Sequence, residues 1–186
     1  LKKIYRQNEQ EFIDLLNRVR INKVSTNDFN ILNSKYNPTF VSKDSEYITL
    51  ATHNNIVKQT NLTKLNQLET ELFTFEANVN KIFPDNIMPT DRFLKLKVGS
   101  QIMFIKNGKG VYNGKIGRIK ELESNKIVVV YRDKQDEEKT IIVEREEWEN
   151  IRYKYNREKK KIEEEIIGTF EQYPIRLAWA ITVHKS

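Results

Sequence analysis

The chain contains no cysteine and only two histidines among its 186 residues. The absence of cysteine excludes disulfides and thiolate metal sites, and the wide sequence separation of His53 and His184 argues against a zinc site. A chain without cysteine fits a reducing compartment, and we expect a cytoplasmic protein. No apolar run is long enough to span a bilayer, so we expect no membrane partner.

Motifs that hold nucleotides are also missing. The sequence has no G-x-x-x-x-G-K-[S/T] phosphate loop and no acidic metal-holding strand motif. The chain by itself is therefore not expected to bind ATP tightly or to hydrolyse it.

Positive charge is present in moderate excess. There are 32 basic and 26 acidic residues, which gives a net charge of +6. This charge is compatible with nucleic-acid binding, but by itself it fits an ordinary basic surface better. The hydrophobic share of 38% can supply a core for one domain, or for one domain with a small insert.

Two helices are predicted near the start of the chain. Apolar residues recur at helical spacing in residues 7–20, which predicts an amphipathic helix. Ser25 to Asp28 resembles a capping box and predicts a shorter helix that ends at about Lys35.

A strand, a polar turn and a helix follow. Residues 46–51 predict a buried strand that leads into Thr52, His53 and Asn54. The next helix is predicted to carry the apolar stripe Ile56, Val57, Leu62, Leu65 and Leu68. Such a unit points backbone N–H groups at an anion. The residues between this helix and Pro89 resemble a loop-rich segment.

Residues 95–145 have a different pattern. Short strand-like runs at 101–106, 116–122, 126–131 and 139–143 are separated by polar turns, which include Asn107-Gly108 and Asn113-Gly114. They predict a small β-barrel or β-meander inserted in an α/β domain. The segment 144–166 fits either a charged helix or strands, because a helical stripe through Trp148, Ile151 and Tyr155 competes with the alternation of Ile151, Tyr153 and Tyr155.

The last residues form an apolar run followed by polar groups. A strand is predicted over 175–183, and Thr182, His184, Lys185 and Ser186 lie at its end. Hydroxyl, imidazole and ammonium groups can contact phosphate oxygens, although a buried strand that ends in a polar loop would look similar. Because nothing follows to finish the domain, we expect the chain to be part of a longer protein.

Several stretches resemble one family in the right order. "AITVHKS" after "PIRLAW" (174–186) resembles motif V of superfamily 1 helicases of the RecD-like and Pif-type branch, and "LKKIYRQNEQEFIDLLNRVR" (1–20) resembles motif IV and its following helix. "ITLATHNNIVKQTNLTKL" (48–65) resembles the strand and helix after motif IV. "LKVGSQIMFIKN" (96–107) and "YNGKIGRI" (112–119) resemble the inserted barrel of this branch.

The resemblance implies an α/β fold. It would be a partial RecA-like second motor domain of the P-loop NTPase type, at 1–94 and 171–186, with a small all-β SH3-like barrel inserted at 95–170. It also implies a fragment of an ATP-dependent DNA helicase that moves 5′ to 3′. The parent protein would hold ATP and Mg²⁺, and the partners would be single-stranded DNA and the missing N-terminal RecA-like domain.

Site residues are carried over from the same resemblance. Arg6 matches the arginine finger that reaches the γ-phosphate of ATP, although without the family it would be interpreted as a surface cation. Thr52, His53 and Asn54 match a turn that contacts the single strand, and a plain helix N-cap is an equal alternative. The terminal group of Thr182, His184, Lys185 and Ser186 is expected to contact DNA as well.

Barrel residues give weaker candidates. Lys106, Lys115 and Arg118 could contact phosphates, whereas an ordinary solvated surface is the better interpretation of each alone. Tyr153 and Tyr155 could stack on bases, and packing is the better interpretation of Trp148.

Two other functions stay open at this point. The chain could be a non-enzymatic nucleic-acid-binding or protein-interaction module, built from a barrel on an α/β support. It could also be a degenerate helicase domain kept only as a scaffold.

Overall fold

The computed structural model describes residues 9–40, 47–108, 110–133, 135–156 and 160–183. The chain divides into two compact units, Leu1–Lys43 and Asp44–Ser186. Within the described residues, no helix is long and apolar enough to cross a membrane.

Between residues 9 and 40, the first unit contains two helices, α1 (Gln10–Arg20) and α2 (Thr26–Asn33). The predicted capping box is confirmed, because the Asp28 amide donates to Ser25 Oγ while the Ser25 amide donates to the Asp28 carboxylate. Residues 7 and 8 of the predicted first helix lie outside the described residues. The second helix ends two residues earlier than expected.

The second unit contains one α-helix, a 3-10 helix and twelve strands in the part of the chain that the structure describes. They are β1 (Thr49–Ala51), α3 (Asn54–Asn66), β2 (Leu72–Glu76), β3 (Asn78–Lys81), the 3-10 helix (Asp85–Ile87), β4 (Phe93–Lys97), β5 (Gln101–Phe104), β6 (Ile116–Glu123), β7 (Lys126–Arg132), β8 (Glu138–Val143), β9 (Glu146–Asn156), β10 (Lys161–Gln172), β11 (Ile175–Leu177) and β12 (Ala180–Thr182).

The strands form four sheets. β1 and β12 pair in parallel, β2 and β4 pair antiparallel, β3 lies beside the β9–β10 hairpin, and the largest sheet has the order β11-β5-β6-β7-β8. The main core contains Phe75 and Leu94 from the β2–β4 pair, with Ile102, Val129 and Ile175 from the five-stranded sheet. Alternation explains this burial, because Leu94 and Leu96 of β4 are buried while the residues on either side of Leu94 are exposed.

The fold is therefore mixed α/β, as predicted, and the short strands of 101–143 are confirmed. Among the described residues, no bridge joins the outer strands β8 and β11 of the five-stranded sheet. The SH3-like barrel stays a prediction.

Three sequence predictions were wrong in part. The segment before Pro89 is not loop-rich, because Phe73 and Phe75 of β2 alternate with polar residues and pair with β4. The run 175–183 is two strands, since β11 pairs with β5 whereas β12 pairs with β1. β1 is a strand, but only its last residue is buried, since Ala51 is 7% exposed whereas Leu50 is 58% exposed.

The ambiguous segment 144–166 is a β-hairpin. β9 and β10 pair from Glu146 opposite Gln172 to Asn156 opposite Lys161. The alternation of Ile151, Tyr153 and Tyr155 was the correct indicator, and the helix propensity of Glu and Lys was overridden by cross-strand pairing.

Candidate nucleic-acid interface

The carboxyl ends of β1 and β12 lie side by side at one edge of their sheet. The two strands are parallel, and Ala51 is the register partner of Thr182. Parallel strands present their carboxyl ends at the same edge, where loops form binding sites in α/β folds. Thr52 and His53 follow β1 directly, so the structure brings together two predicted groups that are about 130 residues apart in sequence.

The predicted residues at this edge differ in accessibility. Thr52, His53 and Asn54 are exposed, whereas Thr182 is buried. The Thr182 hydroxyl therefore has little access to a ligand, and any contact here comes from the residues around it. His184, Lys185 and Ser186 lie outside the described residues, and so does Arg6.

The amino terminus of α3 opens at this edge without a side-chain cap. His53 is the N-cap residue, has extended backbone angles, and makes no side-chain cap hydrogen bond. Its Nδ1 atom instead lies 2.7 Å from Thr52 Oγ1. The first turn of α3 contains no acidic residue. Because no side chain of the described N-cap satisfies them, the first amides of α3 and the positive end of the helix dipole can meet an anion such as a phosphate.

The plain N-cap interpretation is thus not what the structure shows. The cap position is taken by His53 rather than by Thr52 or Asn54, and its ring does not satisfy the helix amides. Asn54 is the first helical residue. The contact of this turn with a phosphate stays a prediction.

Asn61 fixes α3 against β12. Its side chain is buried, with Nδ2 3.0 Å from the Ala180 carbonyl oxygen, and its Oδ1 accepts from the Ala180 amide at 2.9 Å. The predicted apolar stripe of α3 was partly wrong, because Asn61 and Leu65 are the buried positions while Ile56 and Leu62 are exposed. An asparagine inside a helix gives no sequence signal for this contact.

Gln101 fixes the opposite end of the same strands. Its Nε2 donates to the Ala178 carbonyl at 3.0 Å and to the Tyr47 carbonyl at 3.2 Å. The Ala178 amide donates to the Gln101 carbonyl at 2.9 Å. The sequence signal was a glutamine in an otherwise apolar strand, but its partners could not be inferred from that signal.

The barrel cations have internal partners. Lys106 Nζ lies 2.7 Å from a Glu146 carboxylate oxygen and 5.2 Å from the centre of the Trp148 ring. Lys115 Nζ lies 5.8 Å from the Tyr112 ring centre and 5.7 Å from that of Tyr131. A phosphate contact from Lys106 would compete with an ion pair already present.

Arg118 and the aromatic candidates have distinct environments. Arg118 lies on β6 opposite Gln101 and Val130, and it is half-buried. Trp148 packs against Phe170, with ring centres 6.0 Å apart, which confirms packing as its role. Tyr153 and Tyr155 are exposed on the β9–β10 hairpin. The DNA contacts of Lys106, Lys115 and Arg118 stay predictions.

A groove elsewhere on the second unit is acidic and is unsuited to phosphate. It has a volume of about 440 Å³, and its lining includes Glu76, Glu147, Glu171 and Arg92. Within the described residues, no group of three or more His, Asp or Glu side chains could hold a metal ion.

No protein-family model matches the chain, but curated proteins and solved structures do. The ATP-dependent DNA helicase PIF1 of Danio rerio is 30% identical over 195 residues, covering 100% of this chain and 28% of the fish protein. The chain thus spans under a third of that relative's length.

Two solved structures of Bacteroides Pif1 also match. The complex with ADP-AlF4 has a TM-score of 0.83 and 38% sequence identity, covering 99% of this chain and 42% of the Bacteroides chain. The structure bound to single-stranded DNA has a TM-score of 0.70 and the same 38% identity, with coverage of 99% and 42%. Helix α1 at the start, the α3 unit and the carboxyl end of β12 all fall within these matches, so the chain belongs to the Pif1-type branch of superfamily 1 (1B) DNA helicases.

Proposed function

We propose that this chain is part of the second motor domain of an ATP-dependent DNA helicase and that it grips single-stranded DNA at the β1–β12 edge. The observation that carries the proposal is the uncapped amino terminus of α3 beside the carboxyl ends of both strands. The match to a Pif1 structure bound to single-stranded DNA supports it. Thr52, His53 and Asn54 would contact the DNA backbone, together with His184, Lys185 and Ser186.

The nucleotide would be bound largely outside this chain. A RecA-like domain preceding it would hold ATP and Mg²⁺ on its phosphate loop, and Arg6 would reach the γ-phosphate as the arginine finger. Closure of the cleft would tighten the grip on DNA, and repeated closure would move the protein 5′ to 3′. The isolated chain would not hydrolyse ATP, because its sequence has no phosphate loop.

The proposed domain division follows the same scheme. Residues 1–94 and 171–186 would form the RecA-like domain, and residues 95–170 would form the SH3-like barrel. The parallel pairing of β1 with β12 supports an insertion between these strands. The pairings of β3 with β10 and of β11 with β5 cross the proposed bounds, so the exact bounds stay a prediction. Lys106, Lys115 and Arg118 would give the barrel secondary contacts with DNA.

A charge placed at the amino terminus of α3 tests the grip. In the full-length protein, Asn55→Asp adds a carboxylate to the exposed first turn of α3. This change favours the helix dipole, so stability is retained, but it repels a phosphate. We expect the affinity for a fluorescent oligo-dT to fall about three- to tenfold at low salt, measured by anisotropy.

The matched control carries the same substitution at the other end of the helix. Asn66→Asp places one new carboxylate on the last residue of α3, which is also exposed. Its effect on oligo-dT affinity should be less than twofold. Equal losses for both variants, or no loss for Asn55→Asp, would show that α3 does not bind the phosphate backbone.

A further inference from the structure

The backbone of Ala180 is buried and points away from β1. In the β1–β12 pair, Thr49 faces Ala180, and the Thr49 amide donates to the Trp179 carbonyl at 2.8 Å. Because backbone groups alternate in direction along a strand, the amide and carbonyl of Ala180 face the side opposite β1. Ala180 is fully buried, so both groups need partners inside the protein.

Asn61 takes the place of a neighbouring strand for these two groups. Its amide donates to the Ala180 carbonyl and accepts from the Ala180 amide, which is the pair of bonds that an adjacent strand would make. The same Nδ2 atom lies 3.4 Å from the Leu177 carbonyl oxygen. Two bonds to a single residue define both the distance and the register between helix and strand.

This contact sets the position of the anion-binding turn. Asn61 lies seven residues after Asn54, which is about two helical turns, or about 10 Å along the helix axis. In the other direction, Ala180 lies two residues before Thr182 at the carboxyl end of β12. The side chain of Asn61 therefore connects the amino terminus of α3 to the sheet edge where β12 ends, through a rigid helix and a short strand.

We propose that Asn61 is a positioning residue for single-stranded DNA: it holds the amino terminus of α3 at the sheet edge where β1 and β12 end, so that the exposed Thr52, His53 and first amides of α3 meet the DNA backbone. This inference rests on the proposed function. Asn61 itself does not touch the DNA, because its side chain is buried and already bonded to Ala180.

A purely structural role predicts a different result from a positioning role. Loss of the Asn61 bonds would lower thermal stability in either case, because two buried backbone groups would be left without partners. Only a positioning role predicts a specific loss of DNA affinity. The comparison therefore needs a second variant that loses a similar buried bond far from the site.

Thr90 provides that control. Its hydroxyl is buried and donates to the Ile175 carbonyl at 2.7 Å, on a strand of the five-stranded sheet. Thr90→Val keeps the shape of the side chain but removes the bond. Asn61→Leu is the equivalent apolar replacement for Asn61, and Asn61→Ala removes the same bonds with a shorter side chain.

The experiment measures stability, oligo-dT affinity and DNA-stimulated ATP turnover in the full-length protein. For Asn61→Leu we expect the Kd for oligo-dT and the KM for DNA to rise about fivefold or more, while kcat at saturating DNA changes less than twofold. Thr90→Val should lower the Tm but leave Kd and KM within twofold. Asn61→Ala, which removes the same bonds, should raise Kd by a similar factor.

Two outcomes would overturn the inference. One is an Asn61→Leu protein that binds oligo-dT as tightly as Thr90→Val does. If Asn61→Leu does not fold, Asn61→Ala decides, and unchanged affinity in that variant is the second such outcome. Failure of the proposed function gives a different result. In that case Asn55→Asp would bind oligo-dT as tightly as the native protein, whereas failure of this inference alone would leave Asn55→Asp weakened.

Discussion

Asp28 is a buried carboxylate with an unusually full set of donors. Arg18 Nε lies 3.0 Å from its Oδ2 atom, and the Ser25 hydroxyl and amide donate to the same oxygen at 2.8 and 2.9 Å. The Arg18 guanidinium, followed by the Ser25 donors, lowers the pKa of Asp28 far below its ordinary 3.8. Because Arg18 lies in the last turn of α1 and Asp28 in the first turn of α2, the pair connects the two helices.

This pair predicts a pH dependence of stability. A carboxylate whose pKa is lowered on folding stabilises the protein above the ordinary pKa, and this stabilisation is lost as pH falls through the folded value. Asp28→Asn should therefore lower the Tm at pH 7, and the Tm difference from the native chain should shrink steadily below pH 3.8. Thermal unfolding followed by circular dichroism between pH 7 and pH 2.5 measures this difference.

An exposed carboxylate on the same helix serves as the control. Asp14→Asn removes a group on α1 whose contact is the exposed Gln10 side chain at 2.8 Å. Its Tm should stay close to that of the native chain at every pH. A constant Tm difference for Asp28→Asn down to pH 2.5 would show that the carboxylate charge is not what stabilises the pair.

At the residue scale, sequence reasoning works where partners are close in the chain. Ser25 and Asp28 are three residues apart, so their capping box was predictable. Asn61 and Ala180 are 119 residues apart, and Gln101 and Ala178 are 77 apart. Such contacts depend on how the elements pack, and a buried amide has no periodic pattern to reveal it.

Among the elements, the β9–β10 hairpin depends on one close backbone contact. Gly168 of β10 lies opposite Lys81 of β3, at the position where the pairing with β9 shifts register. A Cβ atom at Gly168 would overlap the carbonyl of Ile82 and lie 2.8 Å from its nitrogen. The Ile82 carbonyl also accepts from Asn150 Nδ2 at 2.9 Å, so it is not free to move aside.

We predict that Gly168→Ala destabilises the fold. An added methyl group that meets backbone rather than a flexible side chain must displace the strand, which costs about 2–3 kcal/mol in the free energy of unfolding. Urea unfolding followed by tryptophan fluorescence is suitable because Trp148 packs against Phe170 near this contact. The m-value should be unchanged while the midpoint falls.

Gly108 offers the matched control for the same substitution. A Cβ atom there would meet nothing within 4 Å, and the φ angle of Gly108 is not positive. Gly108→Ala should shift the free energy of unfolding by less than about 0.5 kcal/mol. A similar loss from both substitutions would mean that the Ile82 contact is not the cause.

The elements were predicted best where alternation or a cap was strong. The strands β6, β7 and β8 follow from apolar runs bounded by polar turns, and their bounds agree within two residues. The hairpin β9–β10 was ambiguous because its Glu and Lys residues favour a helix when considered alone. β3 was missed because its four residues, with Val79 as its one apolar side chain, show no period.

For the whole molecule, the order of motifs along the chain was more informative than any single one. Thr52 and Thr182 were separate candidates in the sequence, and parallel pairing places them at one sheet edge. Their different accessibility was not predictable, because it depends on α3 packing beside β12. The nucleotide-facing role of Arg6 and the DNA-facing role of α3 remain separate proposals, and they can be separated experimentally.

Removing Arg6 should separate ATP turnover from DNA binding in the full-length protein. A planar guanidinium that stabilises charge on the transferred phosphoryl group contributes about 10³-fold or more to turnover. Arg6→Ala should therefore reduce the DNA-stimulated kcat by about that factor while the Kd for oligo-dT changes less than twofold. Arg6→Lys should not restore turnover, because an ammonium lacks the fork geometry.

A substitution at the amino terminus of α3 should have the opposite effect, with weaker DNA binding and unchanged turnover. Asn55→Asp should weaken oligo-dT binding while its kcat at saturating DNA stays near the native value, because its new charge lies at the DNA edge of α3. Arg20→Ala is the control for Arg6→Ala, because it also removes one positive charge. Arg20 is the last residue of α1, and its guanidinium donates to the Asn17 side chain at 2.8 Å. This variant should alter neither the Kd for oligo-dT nor the kcat. If Arg6→Ala weakened DNA binding as much as turnover, the two sites would not be separable, and the arginine-finger role would be wrong.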